Sequence, residues 1–272
     1  MFAAMNASKL FGWIVVAFGA IALMACDRAA PPTRSVVMNK PPLVNNVYNY
    51  NDELLAHYEY NSSGQLIKRT YTHPMTKAST ELIFHYDIDR VQTVEYVDLD
   101  SMQFTHEKRF FYTPEGQVER IETHQGGEII RSFHLNYSSD GLVESVNATG
   151  TEPSTFFEYD GRGDVVKTET YYTNIRTGKE VSKVEEFTYD DKHKVNFGLD
   201  YLVGIELLPK LGTKSNWEQS LSKHNLVSEG FGGTKYVEYL IEYNDAGYPI
   251  SITTQWKDME TNTPAMLKIE YR

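Results

Sequence analysis

The sequence predicts an all-β protein, an antiparallel meander of repeated β-hairpins. Three observations predict it: a tyrosine that recurs at a near-constant period, apolar–polar alternation before it, and a glycine-containing turn after it. The tyrosines are Tyr60, Tyr86, Tyr112, Tyr137, Tyr159, Tyr189, Tyr243 and Tyr271, separated by 26, 26, 25, 22, 30, 54 and 28 residues. A repeat of this length means stacked supersecondary units.

Two residues before each tyrosine stands Tyr58, Phe84, Phe110, Leu135, Phe157, Phe187, Ile241 or Ile269, all apolar. A period of two places both residues on one face of a strand. Four residues after the tyrosine stands Gly64, Gly116, Gly141, Gly163 or Gly247, preceded by NSS, TPE, SSD, DGR or NDA. Glycine there supplies the positive φ that closes a short hairpin loop. Six residues after the tyrosine an apolar residue (Leu66, Val118, Val143, Val165 or Val195) restarts an alternation. Each unit therefore reads as strand, tight turn, strand and a looser connection. The 54-residue step reads as two units of about 27, the intervening one degenerate.

Sequence-adjacent hairpins pair with each other most simply, which gives about 16 strands over residues 46–272. So large a sheet must twist, roll or split, and a rolled open sheet and a closed barrel both satisfy the pattern. HEKRFFY and QVERIET put charges on both faces. That argues against a transmembrane barrel, whose outer face must be apolar.

Residues 190–240 break the period, with an irregular insertion near 198–225. Leu202, Ile205, Leu208 and Leu211 have near-helical spacing, but Pro209 should end or kink any helix there. Two roles suit such a segment. It can pack as a plug over one open end or face of the sheet, or it can present a binding face. On the second reading Trp217, Lys223, His224 and Asn225 are the ligand-facing candidates.

The stretches YEYNSSGQLIKRTY, FEYDGRGDVVKTETYY and IEYNDAGYPISIT resemble YD-repeat (Rhs-like) sequences, and more closely uncharacterised bacterial lipoproteins built of similar Tyr-x-x-x-Gly hairpins. The resemblance covers about residues 47–272. It implies a hairpin-array architecture. In Rhs proteins such repeats form a β shell around a toxin, and this array is too short for that role.

The N-terminus carries an address. Lys9 precedes the uncharged run LFGWIVVAFGAIALMA, which spans 16 residues from Leu10 to Ala25. A bilayer-spanning helix needs about 20, whereas a charged start, a short apolar core and small residues describe a signal peptide over 1–25. Leu23-Met24-Ala25-Cys26 resembles the lipobox of bacterial lipoproteins. That implies diacylglycerol on the Cys26 sulfur and cleavage before it. Cys26 is the chain's one cysteine, and lipidation would remove an odd thiol from an oxidising compartment. Residues 26–45, with two Pro-Pro pairs, read as the lipidated end of an extended tether. Asp27 resembles the inner-membrane retention signal of enterobacterial lipoproteins, a rule that does not hold in all bacteria.

Loss of residues 1–25 removes Lys9 and no acid, taking the net charge from −11 to −12. An acidic surface argues against nucleic acid as a partner. No catalytic or metal-binding motif stands out, and no cofactor is implied. His57, His85, His106 and His134 lie in separate strands. Glu185 and Glu186 point to opposite faces as strand neighbours, and Asp190-Asp191 suits a turn. The function expected is therefore non-catalytic binding or scaffolding in the cell envelope. Membrane attachment would be through lipid, and the partner an envelope protein or glycan. Two alternatives stand: a hydrolase acting on glycan or peptide, and an assembly or secretion accessory. The accessory would bind partners by strand addition at free edges, Tyr48–His57 or Leu267–Tyr271.

Overall fold

The computed structural model describes residues 40–149, 153–174, 176–199, 202–203, 207–208, 217–257 and 265–272. The segment expected to be a signal peptide (1–25), Cys26 and the expected tether as far as residue 39 lie outside the described residues. Sixteen strands occur among the described residues. The first eight are β1 (Val44–Tyr48), β2 (Leu54–Tyr60), β3 (Leu66–Thr72), β4 (Ser79–Asp87), β5 (Arg90–Asp98), β6 (Gln103–Tyr112), β7 (Val118–Gln125) and β8 (Glu128–Tyr137). There follow β9 (Val143–Ala148), β10 (Ser154–Tyr159), β11 (Val165–Thr173), β12 (Glu180–Tyr189), a short helix α1 (Trp217–Leu221), β13 (Leu226–Phe231), β14 (Thr234–Tyr243), β15 (Pro249–Trp256) and β16 (Ala265–Tyr271).

Every strand pairs antiparallel with its sequence neighbours, and β1 pairs with β16 to close a barrel. Val47 lies opposite Ile269 and Tyr48 opposite Lys268. This corrects the expectation of free edges. Tyr48–His57 and Leu267–Tyr271 have both sides paired, and a closed sheet offers a partner no edge. β1 also begins at Val44, inside the stretch read as tether, and Val44 is fully buried.

Seven of the eight repeat tyrosines end an even-numbered strand and Tyr86 is the last but one of β4; each sits at a register shift. In the β2–β3 pair Tyr60 faces Leu66 while Glu59 faces Lys68, so Ile67 is the extra residue of a bulge. The inward positions of the next strand therefore run Leu66, Arg69, Tyr71, not Leu66, Lys68, Thr70. Five of the tyrosines then donate their hydroxyl to a carbonyl at the start of the preceding odd strand. Tyr86 reaches Leu66 O at 2.7 Å, Tyr112 reaches Val91 O at 2.6 Å, and Tyr137 reaches Val118 O at 2.7 Å. Tyr159 reaches Val143 O at 2.9 Å and Tyr271 reaches Pro249 O at 2.7 Å. The tyrosine is thus a repeated clamp, giving a strand-start carbonyl a hydrogen-bond partner.

The turn after the tyrosine is also repeated. In the first copy Gly64 N donates to Asn61 O and Asn61 N to Gln65 O, both at 3.0 Å, with Gly64 at φ +86°. The Asn61 carboxamide oxygen accepts from Ser63 N and Gln65 N, which fixes the loop.

The 54-residue step is one unit, not two. The second strand of the unit opened by Tyr189 is β13, displaced to residue 226 by an insertion at the tight turn. The physical reason is the size of the barrel. About eight strands leave an interior that side chains can fill, whereas sixteen leave a channel. Here the insertion helps to fill it: Val195, Phe197, Leu202, Val203, Leu207 and Trp217 are buried within the same core as the inward strand residues.

The outward face carries ion pairs among scattered exposed apolar side chains such as Phe156 and Leu240. Glu59 and Lys68 face each other across β2–β3 and pair at 2.5 Å. Glu158 and Lys167 do so across β10–β11 at 2.6 Å. His85 lies 3.2 Å from Glu95, and Arg109 pairs with Glu107. Lys257 pairs with Glu238 at 2.8 Å.

Candidate functional site

The insertion starts and ends at the tight-turn end of the barrel. His193 stacks on Tyr248 with ring centres 4.8 Å apart, and its amide donates to Gly247 O. Asn196 O then accepts from Val44 N at 3.0 Å. At Gly198 the chain passes so close to the first turn that an added Cβ would lie 2.9 Å from Gly64 O. Phe197 packs on Tyr58 (5.2 Å), and Leu207 O accepts the Tyr58 hydroxyl at 2.5 Å. These contacts displace the clamp where the insertion intrudes. Tyr189 donates to Glu218 O, Tyr243 to the Asp190 carboxylate, and the Tyr60 hydroxyl is buried without a hydrogen-bond partner.

The four candidates of the insertion do not form one cluster. Trp217 is inside the lumen, 8% exposed, its ring edge-on to Phe133 at 5.6 Å. Lys223, His224 and Asn225 return the insertion to the barrel wall. Asp164, fully buried, accepts from Lys223 N (2.8 Å), His224 N (2.9 Å) and His224 Nδ1 (2.7 Å). Asn225 Nδ2 donates to His193 O at 2.9 Å and to Asp190. Lys194, also buried, donates to Ser222 O at 2.7 Å and to Gln219 O, capping the end of α1. His224 and Asn225 thus fasten the insertion, Trp217 lines the two cavities described next, and Lys223 lines a further cavity of about 520 Å³ with Val118, Tyr137, Val143 and Leu202.

Trp217, Phe133 and Arg131 line two cavities of about 540 and 350 Å³. The larger is walled by Phe84, Phe110 and Ile121, with Lys108 and Arg131 as its charged lining residues. The smaller is walled by Thr168, Thr170 and Tyr172 and carries Lys183, Glu185, Glu218 and Glu229. Its carboxylates converge. The Tyr236 hydroxyl lies 2.7 Å from Glu185 and 3.3 Å from Glu229. Lys183 pairs with Glu185 at 2.5 Å, and the Tyr239 hydroxyl donates to Glu229. Burial, followed by the neighbouring carboxylates, holds the Tyr236 and Tyr239 phenols protonated. Enclosure, reinforced by Glu229 and Glu185, pushes the Glu218 carboxyl up to about 8. It keeps its proton near neutrality, beside Glu185 and Glu229, which accept the tyrosine hydrogen bonds. No group of three or more His, Cys, Asp or Glu able to hold a metal occurs among the described residues.

A second feature lies beside the larger cavity. Arg69 points inward from β3, 5% exposed, between its register partners Tyr58 and Leu82. Its guanidinium lies 4.8 Å from the Tyr71 ring centre and beside the Tyr58 phenol, and its Nε has no hydrogen-bond partner.

Sequence reasoning singled out none of Arg69, Lys108, Arg131, Glu185, Glu218 and Glu229 as site residues. The usable signal was a charged residue at an inward position. In the odd strands the bulge shifts that parity by one, so counting in twos from Leu66 assigns Arg69 to the wrong face.

No family model matches the sequence, and no curated protein matches it. Solved structures do match in fold. A porin-like protein from Bacteroides vulgatus ATCC 8482 is 13% identical over 85% of this chain and 99% of its own, with a TM-score of 0.42. A porin-like protein from Bacteroides uniformis ATCC 8492 is 9% identical over 80% of this chain and 90% of its own, with a TM-score of 0.48. A TcdB2-TccC3-TEV structure is 12% identical over 79% of this chain but only 12% of that one, with a TM-score of 0.35.

Proposed function

We propose that this chain is an extracytoplasmic lipoprotein whose barrel stands in water outside the bilayer and acts by binding, not by catalysis. The observation that carries this reading is the outward face. Ion pairs such as Glu59–Lys68, Glu107–Arg109 and Glu158–Lys167 occupy positions that a membrane barrel must give to lipid. A barrel that does not span needs another attachment, and Cys26 in its lipobox-like context supplies one. Two or three acyl chains on one residue hold stably where one chain is marginal. The insertion packed into the lumen favours an enclosed binding chamber over an open pore. In cells fed a labelled fatty acid, the wild type should take up label and Cys26→Ala should not; equal labelling of the two would remove the anchor.

The convergent carboxylates favour a second reading, hydrolysis of a glycan. A Glu218 carboxyl pushed up to about 8 beside Glu185 and Glu229 has the paired-carboxyl composition that glycoside cleavage uses. Binding is preferred because Lys183, Tyr236 and Tyr239 already occupy the Glu185 and Glu229 oxygens. Turnover of a chromogenic glycoside by the wild type, lost in Glu218→Gln, would establish the second reading; no turnover by either leaves binding in place.

A further inference from the structure

Arg69 is buried in the lumen without an acid. No carboxylate pairs with it among the described residues; its guanidinium meets the neutral Tyr58 phenol and the Tyr71 ring, and its Nε makes no hydrogen bond. A buried lysine can shed its proton to escape such a position, but a guanidinium cannot. A buried charge is costly unless paired, and each orphaned buried polar atom calls for an explanation. A bound anion would provide one.

The surroundings fit an anion with an apolar body. Arg69 lies one residue behind the lining of the cavity of about 540 Å³: Leu82, opposite it, lines that cavity, and so does Leu207, whose carbonyl takes the hydroxyl of Tyr58, the residue opposite Arg69 on its other side. The cavity wall is formed by Phe84, Phe110, Phe133 and Trp217, and its charged lining residues, Lys108 and Arg131, are both basic. This local sign opposes the net charge of −11. The volume lies within the range of small-molecule sites, about 300–1,000 Å³.

We propose that the lumen binds a single-chain amphiphile with an anionic head, its chain among these aromatic rings and its head on Arg69. This rests on the binding role proposed above but not on lipidation of Cys26, so failure of either leaves the other standing.

The test uses the full chain in lipid nanodiscs, with empty nanodiscs as blank, and follows quenching of tryptophan fluorescence by 12-bromododecanoate. The wild type should show saturable quenching that Trp217→Phe removes. Arg69→Met should weaken binding of the acid at least tenfold, yet leave binding of 12-bromododecanol unchanged. Ile121→Phe, which fills the cavity without touching the charge, should weaken both, and it provides the test should Arg69→Met fail to fold. The corresponding bromododecyl phosphate distinguishes a phosphate-headed lipid from a free fatty acid by which binds more tightly. Quenching no greater than in empty nanodiscs would overturn the proposal. So would equal affinity for acid and alcohol, or acid binding that neither Arg69→Met nor Ile121→Phe changes.

Discussion

At the scale of single residues, Glu218 and the repeat tyrosines make opposite contributions. Glu218 has a native pKa of about 8 against an ordinary carboxyl value, so between about pH 4.5 and 8 the folded protein holds a proton that the unfolded chain releases. Stability from this group is therefore complete below the lower value, falls as pH rises through the window, and levels above about 8. Glu218→Gln should flatten the pH dependence of chemical denaturation across that window. Above it, the variant should be the more stable by on the order of 4 kcal/mol, an upper figure because the side chain is only partly buried and borders the cavity. A steeper slope in the variant would contradict the assignment. Tyr137 works the other way. Its hydroxyl satisfies the Val118 carbonyl, and Tyr137→Phe should lower unfolding free energy by about 1–2 kcal/mol. Tyr60→Phe should cost less or stabilise, because the Tyr60 hydroxyl is buried without a partner.

At the scale of elements, the insertion is where the sequence was read half correctly. Its apolar residues announced packing, and Leu202 and Leu207 do pack inside the barrel. No degenerate hairpin occurs there among the described residues, and β12 pairs directly with β13; an insertion at a tight turn and a decayed unit of equal length look the same in spacing. His224 and Asn225 resembled ligand-facing loop residues, but their partners, Asp164 and Asp190, lie 60 and 35 residues away. No local pattern marks such a staple. The bulge after each tyrosine hid the lumen in the same way: one extra residue per unit exchanges the faces of the following strand. Asp164 binds two backbone amides and an imidazole while fully buried. Asp164→Ala should therefore destabilise by about 3 kcal/mol or more. Amide hydrogen exchange should locate the resulting opening in residues 217–225 and leave β4–β8 protected; uniform deprotection would mean that the insertion is not a separable unit.

At the scale of the whole molecule, the hairpin order and strand number were legible because each unit carries its own tyrosine, turn and alternation. Closure was not, since β1 and β16 meet through pairings 220 residues or more apart that no repeat encodes. The outward polarity was visible in HEKRFFY and is borne out by Glu107 and Arg109 facing out while His106 and Lys108 face in. From that polarity follows the central claim, a closed barrel standing in water. The most direct measurement is a cysteine scan down the outward face of β4 to β6, at Glu81, His85, Glu95, Glu107 and Arg109. It is done in cell-envelope vesicles with a membrane-impermeant maleimide that reaches the face bearing the barrel. Lipidation would leave Cys26, the chain's one native cysteine, without a reactive thiol. The expected result is labelling at all five positions with no protected zone. A central unreactive band flanked by reactive ends, about 25 Å tall as lipid would impose, would contradict the account.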